Sequence, residues 1–450
     1  MKKFMALMLI FIMSISLFAC SSSSDSGSGS NSSSSNPTEN AASNNEKQEQ
    51  IDISIAVHVA DIEKQFPHVV KIVEKFMAQN PNIKIDLSGS EVSEHLTKMK
   101  LAAQNDNLPD IFFLEQNVAK EMAPAGYLYD LTEELQSRGI NDHLLEMMRN
   151  AAAVDGKTYG IPIEVIMCGL FYNKAIFEKY DVKVPETFEE LLAAVDTFHK
   201  NNVIPISKGA KSSFSVWTFQ GMLTRYGFFE KLDGLNSGEI SYVNEDFIKF
   251  YEKVKTLKEH NAFSENVVNM DYFQAIEQFL GGKAAMVDSG VWEISKFEKS
   301  DIAKDIGFVF GPTFSDGVGE QKKGIKTAGG VYCVSAKSAK DPQKLEAIMK
   351  FFQFYYGPEG TDITVKECSS LPTTKFDGEV NKEEHPILAE MIAQLNNSEW
   401  QSVDQPYNKM SQNVGNTLFD SIWGVINGVY SPEEAAQTME DAMALERGKK

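Results

Sequence analysis

The sequence predicts an α/β protein built as two lobes, and two observations carry that prediction. From residue 51 onward, strand patterns with an apolar period of two alternate with helical patterns, the arrangement expected of open sheets covered by helices. The chain from residue 51 to its end is also 400 residues long, more than one hydrophobic core usually serves. No segment of 20 to 50 residues repeats, which argues against a solenoid.

The chain opens with Lys2 and Lys3, followed by an apolar run from Phe4 to Phe18 broken only by Ser14 and Ser16. That run falls short of the roughly 20 residues that span a bilayer comfortably. A charged start, a short apolar centre and a small residue at its end describe a secretory signal over residues 1–19. Leu17-Phe18-Ala19-Cys20 resembles the bacterial lipobox, although Phe18 is bulkier than the usual residue there. The resemblance implies cleavage before Cys20 and lipid, such as palmitate, on that cysteine. Each buried CH₂ of such a chain contributes about 0.8 kcal/mol of membrane affinity. A plain signal peptide with an incidental cysteine is the alternative. Eleven of the 16 residues after Cys20 are serine. Residues 20–50 therefore have too few apolar groups to offset ordering and read as a disordered linker, with a reach of roughly 30 Å. This arrangement places the body outside the cell, tethered to the membrane.

In the body, "IDISIAV" alternates Ile51, Ile53, Ile55 and Val57 as a strand. "FPHVVKIVEKFMAQNP" puts Val69, Val73, Phe76 and Met77 on one helical face and stops at Asn80-Pro81. "NIKIDL" is a second strand, "EHLTKMKLAAQ" a helix, and "LPDIFFL" a short buried strand. Open sheets of this kind bind ligands beyond the carboxyl ends of their strands. That rule nominates the loops His58 to Asp61, Ser88 to Glu91 and Glu115 to Asn117. Further on, "TFEELLAAVDTF" has Thr187 and Glu190 in capping-box register, with Phe188, Leu191, Leu192, Val195 and Phe198 as its apolar face. "DPQKLEAIMKFF" and "SPEEAAQTMEDAM" each place a capping residue before a proline at the first helical position.

The whole chain carries a formal charge of −20, and loss of Lys2 and Lys3 with the signal takes it to −22. Such acidity disfavours nucleic-acid binding, which needs basic surface to displace counterions. Beyond Cys20 only Cys168, Cys333 and Cys368 remain, an odd number without a CxxC pair, so they read as small buried hydrophobes. The seven histidines are scattered, none at metal-ligand spacing. Neither a metal nor a cofactor is expected.

Seven segments then carry a resemblance: "FMAQNPNIKIDL", "LAAQNDNLPDIFFL", "AGYLYDLTEEL", "DGKTYGIPIEVIMCGLFYNKAIF", "VPETFEEL", "GGKAAMVDSGVW" and "SPEEAA". Their order and spacing over residues 51–440 resemble the extracellular solute-binding proteins of ABC importers, in the branch that includes maltose- and oligosaccharide-binding proteins. The resemblance implies a two-lobed periplasmic-binding-protein-like fold of discontinuous lobes, joined by hinge strands. The N-terminal lobe would comprise residues 51–164 and 311–367, and the C-terminal lobe residues 165–310 and 368–450. Crossings would fall near Glu164, Gly311 and Cys368. The ligand, a sugar or oligosaccharide, would bind in the cleft between the lobes of a monomer, for delivery to the permease subunits of the transporter. The ligand-contact candidates that follow are Glu115, Asn117, Glu164, Trp217, Asp288, Trp292, Tyr332 and Trp400, with Phe214 and His58 as weaker ones. Carboxylates and amides suit sugar hydroxyls, and flat aromatics suit ring faces. For these residues the plainer readings are a surface carboxylate at Glu164, a helix cap at Asp288, and core packing at the aromatics.

Other classes stay open. The same fold serves binders of polyamines, peptides or other organic solutes, and a surface adhesin or sensor. Glu115 and Glu164 could in principle form the acid pair that a glycosidase holds about 5–9.5 Å apart. Nothing in the sequence marks one of them as a buried acid, however, and HExxH, P-loop, GxGxxG and GxSxG motifs are absent. The reading is therefore a binding protein, not an enzyme.

Overall fold

The computed structural model describes residues 49–211 and 215–448. Cys20, the signal, most of the linker and Phe214 lie outside them. In chain order the strands are β1 Ile51–Val57, β2 Ile83–Gly89, β3 Ile111–Leu114, the small hairpin β4 Ala153–Val154 and β5 Lys157–Thr158, and β6 Ile161–Pro162. They continue as β7 Val165–Asn173, β8 Ile204–Ser207, β9 Ala284–Gly290, β10 Ile306–Val309, β11 Lys323–Ala328, β12 Val331–Val334 and β13 Gln401–Val403.

Two main sheets result. The first has the order β2-β1-β3-β12-β6, with β1, β2 and β3 parallel and β12 antiparallel to β3. The second has the order β13-β11-β7-β9-β8, with β10 also pairing to the outer half of β7. The first element assignments follow the sequence closely. β1 runs as expected, and helix Pro67–Gln79 buries Val69, Val73 and Phe76. Ile72 takes the buried place expected of Met77, because the contact face centres one residue earlier. The capping box of helix Phe188–Lys200 forms between Thr187 and Glu190, and helix Pro432–Arg447 gains a second box from Ser431 and Glu434. Asp341 caps helix Pro342–Tyr355. Cys168, Cys333 and Cys368 are all buried free thiols. Among the described residues no helix is long and apolar enough to cross a membrane.

The chain passes between the sheets at two adjacent points. It leaves the first sheet through β6, Ile163 and Glu164 and enters β7. It returns not near Gly311 but at Gly329-Gly330, between β11 and β12. The stretch after Gly311 stays with the second sheet: Gly311 has φ +88°, and Thr313 exchanges backbone hydrogen bonds with Glu186 and Phe188 at 2.8 and 3.0 Å. A last crossing follows Lys375 rather than Cys368. Lys375 still donates to His143 O at 2.8 Å beside the first sheet. Helix Pro386–Leu395 is instead held by Glu298 of the second half, which accepts from Ile387 and Leu388 N–H.

The two adjacent crossings are tied together. Gly329 N–H donates to Glu164 O at 2.9 Å, and Ile163 N–H donates to Gly330 O at 3.2 Å. Gln116, from the first half, donates its side-chain amide to Ala328 O and Gly329 O. The glycines are there for space: a Cβ on Gly329 would lie 2.4 Å from Glu164 Cγ, and one on Gly330 would lie 2.1 Å from the Phe113 ring.

Gly330→Ala should accordingly destabilise the protein by about 1–3 kcal/mol, the range for overpacking a filled site. A urea melt checks this, and an unchanged midpoint would mean that the crossing has room to spare.

Candidate functional site

The carboxyl ends of strands from both sheets converge on the crossings. From the first sheet come His58 after β1, Ser90 after β2, and Glu115 after β3. From the second come the loop after β8, Trp292 after β9, and Gly329 after β11. Open α/β sheets place ligand sites at such ends because loops there are free to vary while the strands hold them.

The floor between these loops is apolar. Ile166 and Cys168 on β7 and Ile325 on β11 form a small cluster, against which Trp217, Trp292 and Val403 pack while staying partly exposed. Trp217 and Trp292, 75 positions apart in sequence, meet edge-to-face with ring centroids 4.6 Å apart. Tyr272 stands 5.1 Å from Trp217 and accepts the Trp292 indole N–H at 2.8 Å, and its own hydroxyl donates to Glu293 at 2.9 Å. The indole planes are thus set by hydrogen bonds as well as by packing.

Around this corner lie acids. Glu164 sits at the first crossing and Glu115 opens helix Gln116–Met122, and both are half-buried. Tyr407 reaches from the segment after β13 to donate its hydroxyl to Glu115 Oε2 at 3.0 Å, so this bond joins the two halves. Burial, and then the charge of Glu115, push the Glu164 carboxyl up to about 8, against the pull of the Gly330 N–H. Burial likewise raises Glu115, opposed by the Tyr407 hydroxyl. Two carboxylates sharing one poorly hydrated site cannot easily both ionise. Near neutral pH the pair therefore offers a hydroxyl donor at Glu164 beside hydrogen-bond acceptors.

The remaining candidates are placed differently. Asp288 does not face the cleft. Its side chain is fully buried in an ion pair with Lys208, and its Oδ1 accepts from Thr218 N–H and hydroxyl at 3.0 and 2.5 Å. It anchors the first turn of the helix that begins at Trp217, and so positions that ring. Tyr332 is also withdrawn. On β12 it points into the first core, stacked at 6.4 Å on Phe352, with no exposed surface. Asn117 is buried, with its Oδ1 accepting from Val118 N–H. Trp400 lies half-buried against Phe310 at 5.2 Å, near the Arg225 and Lys322 cations, beyond the tryptophan corner. His58 stacks on Phe113 at 3.5 Å with Nδ1 lacking a partner, and burial pulls its pKa to about 3, so the ring is neutral.

Tyr407, Tyr272 and Gln116 escaped the sequence reading. Their roles depend on partners up to 292 positions away, and no local pattern marks them. Among the described residues no cluster of metal-ligating side chains occurs.

The profile of a family described as bacterial extracellular solute-binding protein matches residues 71–376. The chain is 24% identical over 319 residues to a multiple sugar-binding protein of Streptococcus mutans, covering 66% of this chain and 71% of that one. It is 24% identical over 305 residues to a maltodextrin-binding protein of Bacillus subtilis, covering 66% and 68% respectively. A solved structure from work on xylan utilisation by Caldanaerobius polysaccharolyticus superposes with a TM-score of 0.77 at 26% identity, over 87% of this chain and 99% of that one. A chitin oligosaccharide binding protein superposes with a TM-score of 0.78 at 24% identity, over 88% and 99%.

Two outcomes are expected. A carboxyl whose folded-state pKa is raised binds its proton more tightly in the folded state. Its contribution is therefore complete below the ordinary carboxylate range and is lost as pH rises toward about 8. Glu164→Gln should leave the melting temperature unchanged near pH 4 and raise it at pH 9; an offset independent of pH would place Glu164 in ordinary solvent. Asp288→Ala should cost about 3–5 kcal/mol by stranding the Lys208 cation. Preserved stability in a chemical melt would return Asp288 to the cleft.

Proposed function

The chain belongs to the bacterial extracellular solute-binding protein family, and from that premise we propose that it captures a carbohydrate between its two lobes for an ABC importer. The observation that carries this reading is the Trp217–Trp292 corner beside the half-buried acids Glu115 and Glu164. Indoles offer flat apolar faces to sugar rings, while carboxyl groups and Tyr407 exchange hydrogen bonds with hydroxyls. Relatives described as binding multiple sugars and maltodextrin support the ligand class.

The lobes follow the sheets, with hinges at Glu164, at Gly329-Gly330 and between Lys375 and Pro386. The tied crossings let the lobes rotate about one line, so that closure buries a ligand which an open cleft admits. Within the site we assign ring contacts to Trp217 and Trp292 and hydroxyl contacts to Glu115 and Glu164. Trp400 and Asn117 are at most peripheral. Lipid on Cys20 would hold a monomeric receptor at the outer face of the membrane, within reach of its permease. The acids act as hydrogen-bonding groups rather than as a hydrolytic pair, as befits a family of binders.

Calorimetric titration with malto-, xylo- and chito-oligosaccharides, with spermidine as the cationic control, tests the reading. At least one sugar should bind unchanged. Binding of spermidine alone would transfer the site to cations, and sugar cleavage would make the chain an enzyme. Trp292→Ala should weaken the sugar that binds at least tenfold while the thermal melt stays cooperative. Unaltered affinity per folded molecule would make Trp292 core.

A further inference from the structure

The segment after β13, residues 404–412, is braced from within the second half of the molecule. Tyr407 meets Phe419 edge-to-face at 5.4 Å, and a Cβ on Gly415 would stand 3.3 Å from Tyr407 Cβ. Asp404 accepts from Asn408 Nδ2 at 2.7 Å and pairs with Lys409 at 3.0 Å. Ser411 caps helix Gln412–Asn427, whose Val414, Leu418 and Ile422 lie in the second core. The segment is a strap fixed at both ends.

Its outward contacts are with the first lobe. Tyr407 donates to Glu115 Oε2 at 3.0 Å. Lys100 Nζ, on helix Val92–Gln104, donates to Gln412 Oε1 at 2.6 Å. Glu121 Oε1 accepts from the Gln412 N–H at 3.2 Å. That N–H is the first of its helix, one of those a helix leaves without a partner of its own. An acid also suits the positive end of the helix dipole. Lys120 lies near enough to Lys409 and Asp404 to feel both charges.

These contacts form a row. Gln116 touches the crossings, and Glu121 lies five residues further along the same helix, about 7.5 Å on. The row therefore runs outward from the hinge toward the rim, and rotation about the crossings would part it. Every bond in it joins protein to protein, so none requires a solute. Loss of one such bond shifts an equilibrium about fivefold.

We propose that residues 404–412 latch this side of the cleft closed without a solute, and that release of the strap controls access to the site. A solute then enters only during the fraction of time in which the latch is open. The inference rests on the two-lobe hinge of the reading above and not on the identity of the sugar.

Small-angle X-ray scattering from the protein with no sugar added tests the latch. The double variant Tyr407→Phe, Gln412→Ala should shift to a larger radius of gyration than the parent, while its thermal melt stays cooperative. Hydrogen exchange over residues 404–412 and 116–122 should quicken together, at least tenfold. Tyr407→Phe and Gln412→Ala alone each delete one side-chain contact and should give smaller shifts in the same direction. Those single variants carry the test if the double variant fails to fold. An unchanged radius and unchanged exchange in the folded variants would overturn the latch while leaving carbohydrate binding intact. Failure of every sugar to bind in the titration above would instead overturn the carbohydrate reading, and the scattering result would stand.

Discussion

The constraint on which the rest depends is the pairing of the two crossing segments at Ile163-Glu164 and Gly329-Gly330. Two backbone hydrogen bonds join them, and the glycines let the second crossing lie against Glu164 and Phe113 with no side chain between. Gln116, from the first lobe, donates to the neighbouring Ala328 and Gly329 carbonyl groups of the second crossing. The geometry brings the carboxyl ends of both sets of strands to one line. It also forces Glu164 into a place where water is scarce and a second acid is near.

Poor hydration shapes the chemistry of the corner. An ionised carboxylate in such a place is costly unless it is paired. Among the described residues no cation is paired with Glu115 or Glu164; Tyr407 and the Gly330 N–H are their protein partners. A proton retained on Glu164 is the less costly solution, and it turns an acid into a donor. Asp288, by contrast, has a buried cation and a helix start to satisfy it. The two acids look alike in sequence and are satisfied differently: Glu164 stands half-buried beside Glu115 without a cation, and Asp288 holds Trp217 in position from behind. Tyr272 does for Trp292 what Asp288 does for Trp217, since its hydroxyl fixes the indole N–H and thereby the plane of the ring.

Much of the local structure was legible in advance, for local reasons. The strand period of β1, the capping box at Thr187, and the proline-started helices capped by Asp341 and Ser431 are each decided within a few residues. The crossing at the glycine pair before β12 was not legible, because which sheet β11 and β12 each join is settled by distant partners. Gly311 looked the better hinge, yet its positive φ merely turns the chain back onto Glu186 and Phe188. Tyr332 was misplaced because strand alternation says which residues share a face, not which face meets the cleft.

By itself the sequence determined the α/β class, the order of the elements, the family resemblance, and the nomination of Glu115, Glu164, Trp217 and Trp292. The class and the order of the elements follow from periodicity and capping chemistry, which act over short stretches of chain, and the nominations follow from the family resemblance. Only the tertiary structure decided that Trp217 and Trp292 meet, that Tyr407 bonds Glu115 from 292 positions away, and that Asp288 and Tyr332 turn inward. It alone also placed the return crossing at Gly329-Gly330. Each of these depends on which sheet a strand joins and which face it buries, and that is settled by packing between segments distant in sequence.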